Sequence, residues 1–362
     1  MEQKKEKIYK QYIKEKDRYD VFGKKMTSLI EDLLKSEKID YQSISYRTKN
    51  DRSFYNKLEK KIDKYSDIAD ITDIVGIRVI TYYSDSVDQV AEIISRQFNV
   101  DEKNTIDKRK ALDPDRFGYL SLHYVVSLKE DRFNLTEYSA FKELKLEIQI
   151  RSISQHTWAE IEHDLGYKSE IEIPKNIRRD FYRLAGLLEL VDKEFIEIRE
   201  KLKAYSDDIE TQIIDSKKDI LIDSISIKSY IQSSDILNEL EEEICKLNDA
   251  KLEFNEFVVS SITKYLNLVG FNTIHEVDDQ IKKNKEGIYH MAKNIIRGKQ
   301  DTLAKGIGLF YLCYYKVAET QSVKNIMNYL IDSGLFKPEN QESTEATAEK
   351  IIRIYEQYLN KV

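Results

Sequence analysis

The chain has 362 residues, with 58 Lys and Arg against 65 Asp and Glu and a hydrophobic share of 41%. That is length for at least two domains and apolar content for sizeable cores, which excludes a disordered or low-complexity chain. Only 3 Pro and 11 Gly exclude collagen-like and many-turned all-β architectures, and a net charge of −7 argues against a nucleic-acid-coating surface while leaving a local basic site open.

Residues 5–37 carry Ile8, Tyr12, Tyr19, Phe22, Met26, Leu29, Ile30 and Leu33 at helical spacing, which predicts an amphipathic helix. Short alternating or apolar stretches then follow at Ile44–Lys49, Ile74–Tyr82, Tyr119–Leu128 and Leu144–Ile150. Helical stretches at Ser53–Tyr65 and Val87–Phe98 separate them, the pattern of one sheet packed on helices. From Ser152 onward helical periodicity dominates. Asn176–Ile214 reads as one or two long helices with Phe181, Leu184, Leu187, Leu188, Val191 and Phe195 as the buried stripe. Polar runs at 206–208 and 215–218 place a boundary there, giving units 1–215 and 216–362. The second is expected to be all-α, with helices closed by Gly270 and Gly334 and a core containing Tyr311, Cys313, Tyr314 and Tyr315.

The two cysteines, Cys245 and Cys313, form no Cys-x-x-Cys pair, so neither a disulfide framework nor a Cys-type zinc site is expected. Met1–Lys7 is charged and lacks an apolar signal core. The longest apolar run, Gly306–Tyr315, falls short of the roughly 18 residues a membrane span needs, so a cytoplasmic location is expected.

Strand parity carries the chemistry. Successive side chains of a strand point to opposite faces. Ile44 and Tyr46 oppose Arg47 and Lys49. Leu120, Leu122, Tyr124 and Val126 oppose Tyr119, Ser121 and His123. Leu144, Leu146, Ile148 and Ile150 oppose Lys145, Glu147, Gln149 and Arg151. The stretch after Asp73 is apolar on both faces except for Arg78, which suits a central strand. One sheet face therefore collects Arg, Lys, Tyr, His, Glu and Gln. It is either an ordinary solvated face or a functional surface. Asp73 and Glu147, near Arg and Lys, suit a Mg²⁺ ion carried by nucleotide phosphates; salt bridges to neighbouring bases are the other reading.

Four ordered motifs give these residues a family likeness. Arg47-Thr-Lys49-Asn-Asp-Arg-Ser53-Phe-Tyr-Asn-Lys57 resembles the nucleotide motif of the RelA/SpoT synthetase family, and Asp73-Ile-Val-Gly76-Ile-Arg78-Val resembles its metal-binding segment. Phe117-Gly118-Tyr119-Leu120-Ser121-Leu122-His123 is similar to its acceptor loop. Glu147-Ile-Gln149-Ile-Arg151-Ser with Trp158, Glu162-His163 and Tyr167-Lys168 is similar to its last strand and helix. The resemblance implies an α+β, nucleotidyltransferase-like mixed sheet flanked by helices. It also implies transfer of the β,γ-pyrophosphate of ATP to a ribose 3′-hydroxyl, releasing AMP.

Carried over residue by residue, the resemblance has Arg47 and Arg78 sandwich the adenine and Lys49, Ser53 and Lys57 hold the ATP phosphates. Asp73 and Glu147 bind Mg²⁺, with Glu147 also the base for the attacking hydroxyl. Tyr119 stacks on the acceptor base, His123 lies near the acceptor's phosphates or ribose, and Gln149, Arg151 and His156 complete the acceptor side. Many alarmone-making relatives have Asn where this chain has His156, a position associated with guanine recognition. The expected acceptor is GDP or GTP. The alternative is the 3′ end of tRNA, as in growth-arrest toxins, with Lys108, Arg109, Lys110 and Arg116 either on RNA phosphates or in a solvated loop. A third reading is a non-catalytic nucleotide sensor, disfavoured by the presence of Asp73, Glu147 and Tyr119.

The metal hydrolase half of some relatives is not expected, since the first histidine is His123. His156 and His163 share a helix face without the spacing of a zinc motif, and His275 and His290 are read as structural. By analogy with longer relatives, residues 216–362 are expected to regulate the synthetase and to receive a possible protein trigger. No oligomeric state can be read from the sequence.

Overall fold

A computed structural model describes residues 2–107, 121–167, 175–214, 220–296 and 300–361. Contacts divide the chain into units 1–200 and 201–362, each with its own hydrophobic core.

The first unit begins with α1 (Glu2–Ser36), whose stripe of Tyr12, Phe22, Met26, Ile30 and Leu34 is fully buried. It lies close to the sheet because residue 23 is glycine: a Cβ there would sit 2.6 Å from the Tyr46 ring. Next come β1 (Tyr41–Thr48), α2 (Asp51–Lys61), β2 (Val75–Thr81), α3 (Asp85–Gln97), β3 (Phe98–Val100), β4 (Ile106–Asp107), β5 (Leu122–Leu128), α4 (Glu130–Phe133), β6 (Leu146–Ser152), α5 (Ile153–Tyr167) and α6 (Lys175–Ile214). The sheet order is β1-β2-β6-β5-β3, with β4 on β5. β2 and β6 run parallel and the other pairs antiparallel, so the mixed sheet expected from the sequence is present.

The core face holds α1 and α3. Ile77, Val79, Leu122, Val126, Ile148 and Ile150 bury there with Val87, Val90 and Ile94 of α3. Tyr12 stacks on Phe54 of α2 at 3.9 Å between centroids, and its hydroxyl donates to the Lys49 carbonyl. Lys16 binds Asp51 at 2.6 Å. These contacts fix the exit of β1 and the start of α2, where Asn50 caps the helix by accepting from the Ser53 amide at 2.8 Å.

The second unit contains α7 (Ser224–Ser233), α8 (Asp235–Lys246), β7 (Lys251–Glu253), α9 (Glu256–Leu268), α10 (Ile274–Ile295), β8 (Thr302–Ala304), α11 (Ile307–Ala318), α12 (Val323–Asp332) and α13 (Gln341–Leu359). It is helical apart from a parallel ribbon of β7 and β8, too short at three residues each to show a period in the sequence. Tyr311, Cys313, Tyr314 and Tyr315 lie in its core. Gly270 and Gly334 have φ of +91° and +85°. After α9 the amides of Gly270 and Phe271 donate back to the carbonyls of Asn267 and Leu266, the double bond pattern of a glycine-terminated helix. Among the described residues no helix is long and apolar enough to cross a membrane.

One expectation is overturned. The stripe assigned to the core in α6 is not buried: Leu184 and Leu187 are 52% and 55% exposed, and Phe195 is also exposed. Among its described side chains the buried ones are Ala185 and Asp192, on a neighbouring line of the helix, and Ile209, which joins the core of the second unit. Periodicity identified an apolar face without saying what it faces.

Candidate active site

The strand register gathers the polar residues on one face. Arg47 lies opposite Gly76 and Gly76 beside Glu147; one step along, Ser45 lies opposite Arg78, Arg78 beside Gln149, and Gln149 opposite His123. Paired residues project to the same side. These two rows bring Arg47, Arg78, His123, Glu147 and Gln149 together, with Arg151 following by parity. Gly76 is the gap in the first row: a Cβ there would have nothing within 4 Å, so the space between Arg47 and Glu147 is open.

Asp73 stands two residues before β2 and receives two ammonium groups. Lys49, at the exit of β1, lies 3.1 Å from its Oδ2, and Lys57, on α2, binds its Oδ1. Burial pushes this carboxyl up, but Lys49 and Lys57 outweigh it and hold it below the usual carboxylate range. Ser53 is exposed near the N-terminus of α2, one turn before Lys57 and on its face of the helix.

Glu147 is held in the middle of β6. His123 Nδ1 lies 2.9 Å from its Oε1, and Gln149 Nε2 donates to the same oxygen at 2.7 Å. Arg151 in turn donates to Gln149 Oε1, which fixes the amide orientation. Burial raises the Glu147 carboxyl; the bonds from His123 and Gln149 overcome that and keep it below its ordinary value, while the charge of Asp73 works against them. The two carboxylates therefore sense each other across the site, and both are ionised at neutral pH.

A third cluster closes the β6 end. Arg78 pairs with Glu160 of α5 at 3.0 Å, and His156, one turn earlier on α5, has Nδ1 3.7 Å from the same carboxylate oxygen. Burial, then the positive charge of Arg78, pushes the His156 imidazole below its ordinary value against the pull of Glu160. Glu160 is the residue that sequence reasoning missed; its spacing of four from His156 on a helix was the available signal. Arg47 is exposed at the other end of the face, and Tyr119 with the basic set 108–110 and Arg116 lies outside the described residues. His163 is on α5 and exposed.

The face thus carries five basic side chains (Arg47, Lys49, Lys57, Arg78 and Arg151) around Asp73, Glu147 and Glu160, an arrangement that accepts a polyanion while retaining two carboxylates. The family described as the region found in RelA/SpoT proteins matches residues 46–172, the span of these side chains. The GTP pyrophosphokinase YjbM of Bacillus subtilis (strain 168) is 30% identical over 159 residues, covering 43% of this chain and 71% of that one. The chain belongs to the RelA/SpoT family. It is an enzyme of the pyrophosphotransferase type. A second relative, the GTP pyrophosphokinase YwaC of the same organism, is 27% identical over 159 residues, 43% of this chain and 72% of that relative. The crystal structure of small alarmone synthetase 1 from Bacillus subtilis bound to pppGpp is 24% identical, with a TM-score of 0.45 over 54% of this chain and 99% of that one.

Proposed function

We propose that this enzyme transfers the β,γ-pyrophosphate of ATP to the 3′-hydroxyl of GDP or GTP, forming a guanosine alarmone and AMP. The observation that carries the reading is a pair of ionised carboxylates, Asp73 held by Lys49 and Lys57 and Glu147 held by His123 and Gln149. The named activity of YjbM and YwaC, GTP pyrophosphokinase, supports the guanine acceptor.

On this reading Arg47 and Arg78 stack on the adenine, Arg78 moving from Glu160 to the ring. Lys49, Ser53 and Lys57 take the phosphates, helped by the amides at the start of α2. Asp73 and Glu147 fit a Mg²⁺ ion: they are two ionised carboxylates whose charges oppose each other, and such an ion takes one or two carboxylates plus phosphate oxygens. Bound there, it would neutralise charge on the transferred group. Glu147 Oε2 accepts the proton of the 3′-hydroxyl as that oxygen bonds to the β-phosphorus, and the bond from the β-phosphorus to the α-bridging oxygen breaks to release AMP. His123 and Gln149 hold Oε1, leaving the other oxygen for the base role. Gln149, Arg151 and His156, with Tyr119, form the acceptor side. We also assign regulation of this site, and reception of a protein trigger, to residues 216–362.

The test is incubation of the pure protein with γ-labelled ATP, Mg²⁺ and GDP, GTP or deacylated tRNA. Label on the guanine nucleotide with stoichiometric AMP is expected. Label on the tRNA end overturns the guanine reading in favour of a tRNA-modifying toxin, for which His156 is the specific departure. ATP binding without transfer to any acceptor overturns both. Truncation after residue 215 is expected to raise activity or growth toxicity; unchanged values remove the regulatory assignment.

A further inference from the structure

Glu160 stands between the donor side and the acceptor side of the face. Its Oε1 takes Arg78 of β2 at 3.0 Å, and the same oxygen lies 3.7 Å from Nδ1 of His156, one turn earlier on α5. The second distance is beyond a hydrogen bond. Among the described residues Nδ1 of His156 is buried and has no hydrogen-bond partner, an unfavourable state for a ring nitrogen. The pair that occupies Glu160 is weak: the side chains of Arg78 and Glu160 are 29% and 52% exposed, so water screens their charges and holding both in place costs freedom. A guanidinium laid on the face of a purine is a competing use of Arg78 with comparable strength. The charged groups that face the His156 ring are Arg78 from β2, Arg151 from β6 and Glu160 from its own helix. Burial and the two arginines disfavour an imidazolium there, and Glu160 favours it.

We propose that Glu160 is a positioning residue, handed from Arg78 to His156 when the adenine of ATP draws Arg78 away, so that donor binding prepares the ring that meets the acceptor. The proposal rests on the donor and acceptor sides assigned above, and is independent of whether the acceptor is a guanine nucleotide or an RNA end. Released from Arg78, Glu160 needs a shift of about 1 Å to accept from Nδ1 of His156. Two changes then act on the ring in the same direction: a positive neighbour leaves and a carboxylate closes in. The ring takes one proton from solvent and becomes an imidazolium, with Nδ1 donating to Glu160 and Nε2 carrying a second proton to donate. A neutral imidazole has one donor nitrogen and one acceptor nitrogen. The imidazolium has two donors and a charge, which suits an anionic or carbonyl oxygen of the acceptor. By linkage, donor affinity rises as the pH falls through the interval between the ring's free and donor-bound values, and levels off below both. Donor and acceptor also strengthen each other's binding by one common factor.

Two measurements on the full-length protein test this. In the first, α,β-methylene ATP with Mg²⁺ is titrated calorimetrically into the enzyme in two buffers of different ionisation enthalpy, at about pH 6.5. The bridge of this analogue cannot break, so the heats count protons taken up on donor binding alone. An uptake of about half a proton per chain is expected. Glu160→Gln and His156→Asn are each expected to abolish it while the analogue still binds. In the second, the His156 ring is titrated by NMR in the free protein. Arg78→Ala is expected to raise its midpoint and Glu160→Gln to lower it. Uptake that persists in either variant overturns the inference, as does a wild type that binds the analogue without uptake, or a ring midpoint that ignores Arg78→Ala. An enzyme that does not bind the analogue overturns it too, since the hand-over then has no cause. Label transferred to tRNA with the Glu160-dependent uptake intact supports the hand-over and overturns only the guanine acceptor. Alarmone formation without that uptake does the reverse.

Discussion

In residues 1–200 the carboxylates Asp73 and Glu147 are partly buried and held below the usual range, whereas in residues 201–362 Glu241 on α8 is fully buried and pushed up to about 7. All three lose solvation, and burial alone would raise every one of them. Asp73 gains two ammonium groups, and Glu147 gains an imidazole and an amide. Glu241 receives only neutral amides at close range, from Gly306 at 2.8 Å and Gly308 at 3.0 Å at the start of α11. The difference shows that depth does not decide the charge state of a buried acid; the charge of the donors around it does. In the first unit this produces anionic groups ready for chemistry, and in the second a capping residue that shares in the core.

The largest effect expected from disturbing this contrast is at Glu147. Glu147→Gln keeps the shape and the hydrogen bonds but removes the charge, and pyrophosphate transfer is expected to fall by about a thousandfold at unchanged ATP affinity. Single-turnover assays separate the two quantities. A loss confined to ATP affinity would place Glu147 in binding alone.

Glu241 comes next. Its folded pKa lies above the unfolded value, so the native state binds the proton more tightly, and the second unit is most stable below about pH 4.5 on account of this group. That contribution is lost as the pH rises through about 7. The loss is on the order of 3 kcal/mol. Glu241→Gln is expected to flatten the dependence of chemical denaturation between pH 5 and pH 8, leaving a steeper curve in the wild type.

Gly76→Val tests the open row between Arg47 and Glu147. The protein has room for the side chain, so Tm is expected to stay within about 3 °C. The nucleotide would lose that room, and KM for ATP is expected to rise about tenfold. The smallest effect belongs to Lys16→Ala: its pair with Asp51 is 37% and 49% exposed, and the stability change is expected to remain below about 1 kcal/mol.

Much of this was legible in the sequence. Alternation of charged and apolar residues in β1, β5 and β6 placed Arg47, His123, Glu147 and Gln149 on one face before any coordinates, because side-chain parity is a local property. Strand neighbours were not legible in that way; that Arg78 lies beside Gln149 depends on pairing between distant segments. Glu160 was passed over because its one local signal, the spacing of four from His156, does not show that it reaches Arg78. The short strands β3, β4, β7 and β8 are held by their partners and have too few residues for a period. In α6 the apolar face was seen and its burial misassigned, since a helical period does not say what the face meets.

The parallel pairing of β2 with β6 joins Gly76 to Glu147 across 71 positions of sequence, 147 less 76. Such a contact comes only after a long loop has been closed, whereas the helices and the β1–β2 pair can form from neighbouring residues. Asp73 and Glu147 are therefore strangers in any partly folded chain. A nascent polypeptide that has not yet released β6 from the ribosome has its lysines and its first acid, but no second one. On the roles proposed for Asp73 and Glu147, catalytic competence arrives with completion of the sheet, and a chain that misfolds or stalls early is silent.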